Sequence, residues 1–234
     1  MSETVTIAPR FNGPPGSGNG GYVCGLMASR IAGVSEAVLR VPPPLEVRLT
    51  LAPAADGVAL HHGDTLIGEA RPAQLDVAPP PAPSIGDARA AARRYLGLSS
   101  HRFPTCFVCG CARPAHDGLD IFTGPVEGRS MVACAWTPGA DLADAQGRVA
   151  PEFIHAALDC PSYWALPRAG EITALLARLT ASIDTPIPRV GEDLIVAAWH
   201  LSSDGRKHRS ATALYSADGV VIARSEALWI EPRS

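Results

Sequence analysis

Residues 19–32, NGGYVCGLMASRIA, form an apolar run bounded by a polar start, and their reading decides the fold. Asn19 suits the N-cap of a helix, because its side chain can accept from the free amides of the first turn. The helix is expected from Gly20 to about Ala32. A second run, PEFIHAALDCPSYWAL at 151–166, has the same character. Pro151 fits its first position, where a backbone N–H would have no intrahelical partner.

Working outward, each run sits in the same order of elements. TVTIAP at 4–9 reads as a short strand before the first helix. Strand-like segments then follow at 45–51, 58–62 and 65–71, the last two joined at Gly63-Asp64. Around the second helix, segments 119–123 and 130–136 precede it. Segments 172–182, 194–202, 208–216 and 220–229 follow, with hairpin signals at Asp204-Gly205 and Asp218-Gly219. A buried helix followed by a meander of strands, twice over, argues an α+β architecture with helices on one face of an antiparallel sheet.

Between the repeats lies VAPPPAPS at 77–84, whose prolines remove backbone donors and favour an extended strap. A short Ala- and Arg-rich helix is expected from Ile85 to about Leu96. The implied division is 1–77, a linker at 78–104, and 105–234. The 234 residues suffice for two units of this kind.

Composition narrows the function. Hydrophobic residues make up 47% and charged residues 18%, as in a well-buried globular protein. The net charge is −3 with no Lys/Arg run, which speaks against a nucleic-acid surface. No stretch has the length to span a bilayer, and MSETVTIAPR lacks a signal-peptide pattern. The expectation is a cytoplasmic protein whose six cysteines are free thiols or metal ligands rather than disulfides.

Asn19-Gly20-Gly21-Tyr22 opening an apolar helix resembles the His/Asn-Gly-Gly motif of hotdog-fold acyl-CoA thioesterases. The segment from Leu45 through GDTLIGEARPA resembles the N-terminal half of the double-hotdog, acyl-CoA thioesterase II-like family. The resemblance covers most of residues 5–75, and the second half shares element order rather than motif. It implies a tandem double hotdog, each half a long helix wrapped by an antiparallel sheet. It also implies an acyl-CoA or other acyl thioester as partner and requires no cofactor. A homodimer of double hotdogs is compatible with it.

The chemistry can be argued beside the resemblance. A helix N-terminus presents unpaired amides and the positive end of the helix dipole. Gly20 and Gly21 leave those amides open to a thioester carbonyl, as in an oxyanion hole. The plain alternative is that the glycines serve only close packing. Thioester hydrolysis also needs a carboxylate as base or nucleophile. In the family pattern it lies eight residues after the first glycine, and that count reaches Ala28 in the first helix. The equivalent position of the second helix is Asp159, where the glycine positions are instead Pro151 and Glu152. One half thus supplies amides and the other an acid, so a single catalytic site between them is expected. Asp159 is otherwise a buried structural carboxylate in need of a partner.

Asn19, Tyr22, Glu152, His155 and Trp164 are the expected substrate-binding residues. Glu152 and His155 fall near the helix face of Asp159. Tyr22, Trp164 and their apolar neighbours could line an acyl tunnel or be ordinary core. The Asp/Thr/Gln constellation of the thioesterase II enzymes is not reproduced, since the last strand offers only Ser225 or Glu226 near the Gln position.

Cys106-Phe-Val-Cys109-Gly110-Cys111 has the form of a metal knuckle. Completing it would require ligands such as Cys134, Cys160, His101 or His116; otherwise the thiols are simply packed between the halves. The leading function is hydrolysis of an acyl thioester, and the runner-up is a non-catalytic acyl-CoA or acyl-chain binder.

Overall fold

The computed structural model describes residues 2–184 and 186–233. Among these, eleven strands form one antiparallel sheet and three α-helices pack on it. The first half contributes β1 (Glu3–Val5), α1 (Gly20–Ala28), β2 (Ser35–Leu39), β3 (Leu49–Ala54), β4 (Gly57–His62) and β5 (Thr65–Pro72). The strap then leads into α2 (Ile85–Ala92). The second half contributes β6 (Gly124–Pro125), β7 (Val132–Trp136), α3 (Pro151–Trp164), β8 (Leu175–Ile183), β9 (Leu194–Asp204), β10 (Lys207–Ser216) and β11 (Val221–Ile230).

Across the sheet the order is β1-β3-β4-β5-β2-β8-β11-β10-β9-β7-β6. Read inward, β1-β3-β4-β5-β2 of the first half corresponds to β7-β9-β10-β11-β8 of the second, which adds β6 at its edge; in the chain the helix lies between β1 and β2 and between β7 and β8. The halves join where β2 pairs antiparallel with β8, Ser35 opposite Ala181 and Val38 opposite Arg178. The long hairpins of the second half turn at Gly205 and Gly219, whose φ of 53° and 83° is the left-handed conformation such tight turns need.

α3 is buried on nearly every side, because the sheet covers one face while α1 and the loop 98–123 cover the rest. On the opposite face of the sheet, Ala88 and Ala91 of α2 pack on Ala133, Ile195 and Tyr215. The strap is stitched down there, Tyr215 Oη donating to Pro80 O at 2.8 Å and Arg224 Nη1 to Val77 O at 3.1 Å. The linker is thus a packed part of the second half's outer surface. No helix of the described residues is long and apolar enough to cross a membrane.

Four local expectations need correction. α1 stops at Ala28, four residues short of Ala32, and α2 stops at Ala92 rather than about Leu96. Strand β3 starts at Leu49 and not Leu45, because Glu46 lies at φ 60° and donates its amide to Ile7 O at 3.0 Å. Residues 119–123 are not a strand. Asp120 sits at φ 54°, and its neighbours instead donate to the cysteine loop, Leu119 N to Phe107 O at 2.8 Å and Ile121 N to Val108 O at 3.0 Å. Strand β2 escaped the sequence reading, being only five residues long with a charged Glu36 as its second. Its residues become a central strand because β5 and β8 flank them, with Glu36 paired to Arg71 at 2.8 Å and to Arg178 at 3.6 Å.

Candidate functional site

α1 and α3 lie side by side in opposite directions. Gly21 faces His155, Ala156 and Asp159, whereas Gly25, one turn on, faces Glu152 and His155. The approach is close enough that glycine is required at both. A Cβ on Gly21 would collide with the Asp159 side chain and stand 2.7 Å from His155 O. One on Gly25 would stand 2.6 Å from Glu152 Cα. Close packing is therefore part of what the glycines do.

That packing delivers Asp159 to the start of α1. Its Oδ2 accepts from Gly21 N at 2.8 Å and from Asn19 Nδ2 at 2.9 Å. Asn19 also caps the helix, its Oδ1 accepting from Tyr22 N at 2.9 Å. Val23 N is bound to Asn19 O at 3.1 Å. The Gly20 amide is left as the first-turn donor with no partner among the described residues. Asp159 is 1% exposed, and its Oδ1 has no hydrogen-bond partner. Burial raises its pKa to about 7, against the opposing pull of the Gly21 and Asn19 donors.

Asp159 and the start of α1 open onto a cavity of about 500 Å³. Its walls come from both halves: Asn19, Gly20 and Leu39 from the first, Asp159, Trp164 and Trp229 from the second. Exposed Arg40 and Arg102 belong to the same lining. The lining is mostly apolar, so a polar group entering it would be drawn to the few donors and acceptors at the helix junction.

The sequence-derived set thus divides. Asn19, Gly20, Asp159 and Trp164 line the cavity, and Gly21 reaches it through its bond to Asp159. Tyr22, Glu152 and His155 do not. Tyr22 stacks on Phe11 at 4.4 Å and tilts against Phe153 at 5.8 Å, on the far side of α1. Burial, with Glu152 nearby, raises its phenol to about 12. His155 binds Pro151 O through Nδ1 at 2.9 Å and leaves Nε2 buried and unpaired. Burial pushes its pKa down, so the ring is held neutral and is not bonded to Asp159. Helical spacing put these residues near Asp159 in projection, but the cavity meets only one side of α3. Ser225 and Glu226 also lie elsewhere: Ser225 Oγ is buried against Leu158 O at 3.4 Å, and Glu226 binds Arg209 at 2.8 Å.

The cysteines were missed as cavity residues. Cys106, Cys109 and Cys160 all line it, next to His101. The signals were present in the C-x-x-C spacing and in Cys160 following Asp159, but only the fold joins loop to helix. Asn19 Nδ2 lies 3.9 Å from Cys106 Sγ and 3.7 Å from Cys160 Sγ.

No family model matches the chain, and no curated protein matches it. Solved structures do. The tesB protein of Mycobacterium avium subsp. paratuberculosis is 13% identical with a TM-score of 0.62, the match covering 99% of this chain and 93% of that one. A candidate thioesterase II from Thermobifida fusca is 15% identical with a TM-score of 0.66, covering 99% and 94%. A conserved protein of unknown function with a hotdog fold from Alicyclobacillus acidocaldarius is 10% identical with a TM-score of 0.60, covering 100% and 94%. At these identities the likeness is one of fold, and it extends over the whole chain: the protein has a hotdog fold.

Proposed function

We propose that this hotdog-fold chain is a tandem of two hotdog units, residues 1–77 and 105–234 joined by 78–104. We further propose that it hydrolyses an acyl thioester, such as an acyl-CoA, in the one cavity between them. The observation that carries the reading is the state of Asp159. One carboxylate oxygen is anchored by Gly21 and Asn19, while the other, buried and unpartnered, belongs to a group lining an apolar cavity beside the Gly20 amide. The names of the similar structures from Mycobacterium and Thermobifida agree with this chemistry.

In this reading the thioester carbonyl oxygen approaches the Gly20 N–H at the positive end of α1. Asp159 Oδ1 takes a proton from a water as the water oxygen bonds to the carbonyl carbon. Charge builds on the carbonyl oxygen, where the helix amide stabilises it. Collapse of the intermediate breaks the carbon–sulfur bond, and the proton held by Asp159 passes to the departing thiolate. A carboxyl group whose pKa lies near neutrality suits both proton transfers.

Asp159→Asn keeps the acceptor for Gly21 and Asn19 but removes the base. Release of free thiol from a panel of acyl-CoAs should fall by roughly 10²–10⁴-fold in kcat. Undiminished turnover of a good substrate would sink the assignment. A second reading, a non-catalytic acyl-CoA or acyl-chain binder, is favoured by one observation: Asp159 already occupies the Gly21 amide, as a structural cap would. It predicts acyl-CoA affinity in the wild-type protein with no thiol release.

A further inference from the structure

The cavity has a second chemical feature that hydrolysis as proposed does not use. Cys106 and Cys109 come from the turn after Thr105, and Cys160 comes from α3, one residue past Asp159. Their three sulfurs lie within 4.8 Å of one another, with Cys106 Sγ and Cys160 Sγ 3.6 Å apart. A tetrahedral zinc with Zn–S bonds of about 2.3 Å spaces its sulfurs by about 3.8 Å, close to the Cys106–Cys160 separation, and the third sulfur stands within about an ångström of that spacing.

Polar groups surround the cluster, the Asp159 carboxylate among them, its Oδ2 4.0 Å from Cys160 Sγ. Gly110 N donates to Cys106 O at 2.9 Å, closing the turn that brings Cys109 back beside Cys106. The indole N–H of Trp164, buried and without a hydrogen-bond partner among the described residues, belongs to a side chain that lines the same cavity. His101 Nε2 is 3.4 Å from the same sulfur, and Asn19 Nδ2 is directed between the other two. Every polar hydrogen aimed at the cluster suits negative sulfur.

His101 defines the coordination number. Its Nδ1 accepts from Phe103 N at 3.0 Å, so its proton sits on Nε2, which bonds Cys109 O at 3.0 Å. A ring in that tautomer has no lone pair to give at Nε2. It acts as a donor behind Cys109 and not as a fourth ligand. All three cysteines line the cavity.

We propose that Cys106, Cys109 and Cys160 bind one zinc ion as thiolates, with the fourth coordination position open to the cavity. Three protein ligands and one open position is the arrangement of zinc sites that exchange water or a substrate atom. The ion would tie the loop carrying Cys106 to α3 beside Asp159. The proposal stands whether or not the chain hydrolyses thioesters, and its test does not measure turnover.

The test is metal analysis of full-length protein purified under reducing conditions without chelator, followed by replacement with Co(II). About one zinc per chain is expected, and Co(II) should give an intense thiolate-to-metal charge-transfer band. A small added thiol should shift the Co(II) visible bands by entering the open position. Cys160→Ser should weaken zinc binding by more than about a hundredfold, whereas Cys111→Ser, on an exposed residue, should leave it intact. Since loss of a buried thiol can itself unfold the chain, the wild-type titration decides. Absence of zinc together with no charge-transfer band would overturn the site, as would a Cys106–Cys160 disulfide in its place. Bound Co(II) whose spectrum ignores added thiol would overturn the open position.

Discussion

Gly21 N and Asp159 Oδ2 are joined by a 2.8 Å hydrogen bond that links the two halves of the chain across 138 residues of sequence. The bond exists because Gly21 has no side chain to hold α3 away. It fixes one carboxylate oxygen and, with it, the direction of the other. Position and chemistry at this junction therefore depend on the same glycine.

The first expectation concerns that glycine. Gly21→Ala must separate α1 from α3, since its Cβ would meet Asp159 and the His155 carbonyl. Destabilisation of roughly 3 kcal/mol is expected, at the upper end of the over-packing range. Gly20→Ala meets side chains alone, Leu176 at 3.0 Å and Leu39 at 3.4 Å, and no backbone, and should cost less than half as much. Urea midpoints of the two variants would check the contrast. Equal losses would mean that the helices have room at Gly21.

Asp159→Asn should make the protein more stable while making it inactive. A carboxylate with 1% exposure and one unpartnered oxygen is costly to keep charged, and an amide holds the same two donors without the charge. A gain of about 1–2 kcal/mol would raise Tm by roughly 2–8 °C for a chain of this size. Calorimetry near neutral pH measures it directly, and a lower Tm would show that the charge is favourably compensated.

His155 gives a pH dependence with a definite sign. Burial lowers its pKa below the ordinary 6.5, so the folded protein keeps the ring neutral. Below pH 6.5 the unfolded chain takes up the proton first. Stability is therefore complete above 6.5 and declines as pH falls toward the lowered value. His155→Gln should lose less stability than the wild type between pH 7.5 and 5.5 in paired urea titrations. Parallel losses would remove His155 from the account.

Arg113 should couple folding to the cavity. Its guanidinium, 7% exposed, donates to Asn12 Oδ1 at 2.7 Å, Thr105 O at 2.6 Å and Arg10 O at 3.0 Å, pinning the cysteine loop onto the first half. Arg113→Met leaves those acceptors unpaired and is expected to cost about 2–4 kcal/mol. Protease cleavage between residues 103 and 121 should rise, and peptide mapping would show whether it does.

Tyr22 provides the contrast. It sits in an aromatic cluster with Phe11, Phe107 and Phe153, its hydroxyl without a hydrogen bond among the described residues, and does not line the cavity. Tyr22→Phe should leave stability within about 0.5 kcal/mol and any turnover unchanged. A changed KM would restore it as a substrate contact.

Much of this fold was legible because its signals are local. Asn19 before an apolar run, Pro151 at a first turn, and Asp-Gly at the hairpins each act within a few residues. The complementary halves of one motif pointed to a junction of the two helices, but the sequence reading left both glycine amides open to a carbonyl, whereas Asp159 Oδ2 takes that of Gly21. What stayed hidden depends on distant partners. β2 is a strand only because β5 and β8 flank it, and Cys106 meets Cys160 only because a long irregular loop folds back onto α3. Helical projection placed Glu152 and His155 beside Asp159, but it holds no record of which side of α3 the cavity touches.

The repeated strand order, read inward to β2 and β8, has a consequence for how the chain can vary. Two identical subunits must carry every residue twice, so any change that improves one helix junction also alters its mate. Here Pro151 and Ala28 stand where Gly20 and Asp159 stand at the other junction. Each position is written once, so the two junctions can diverge independently.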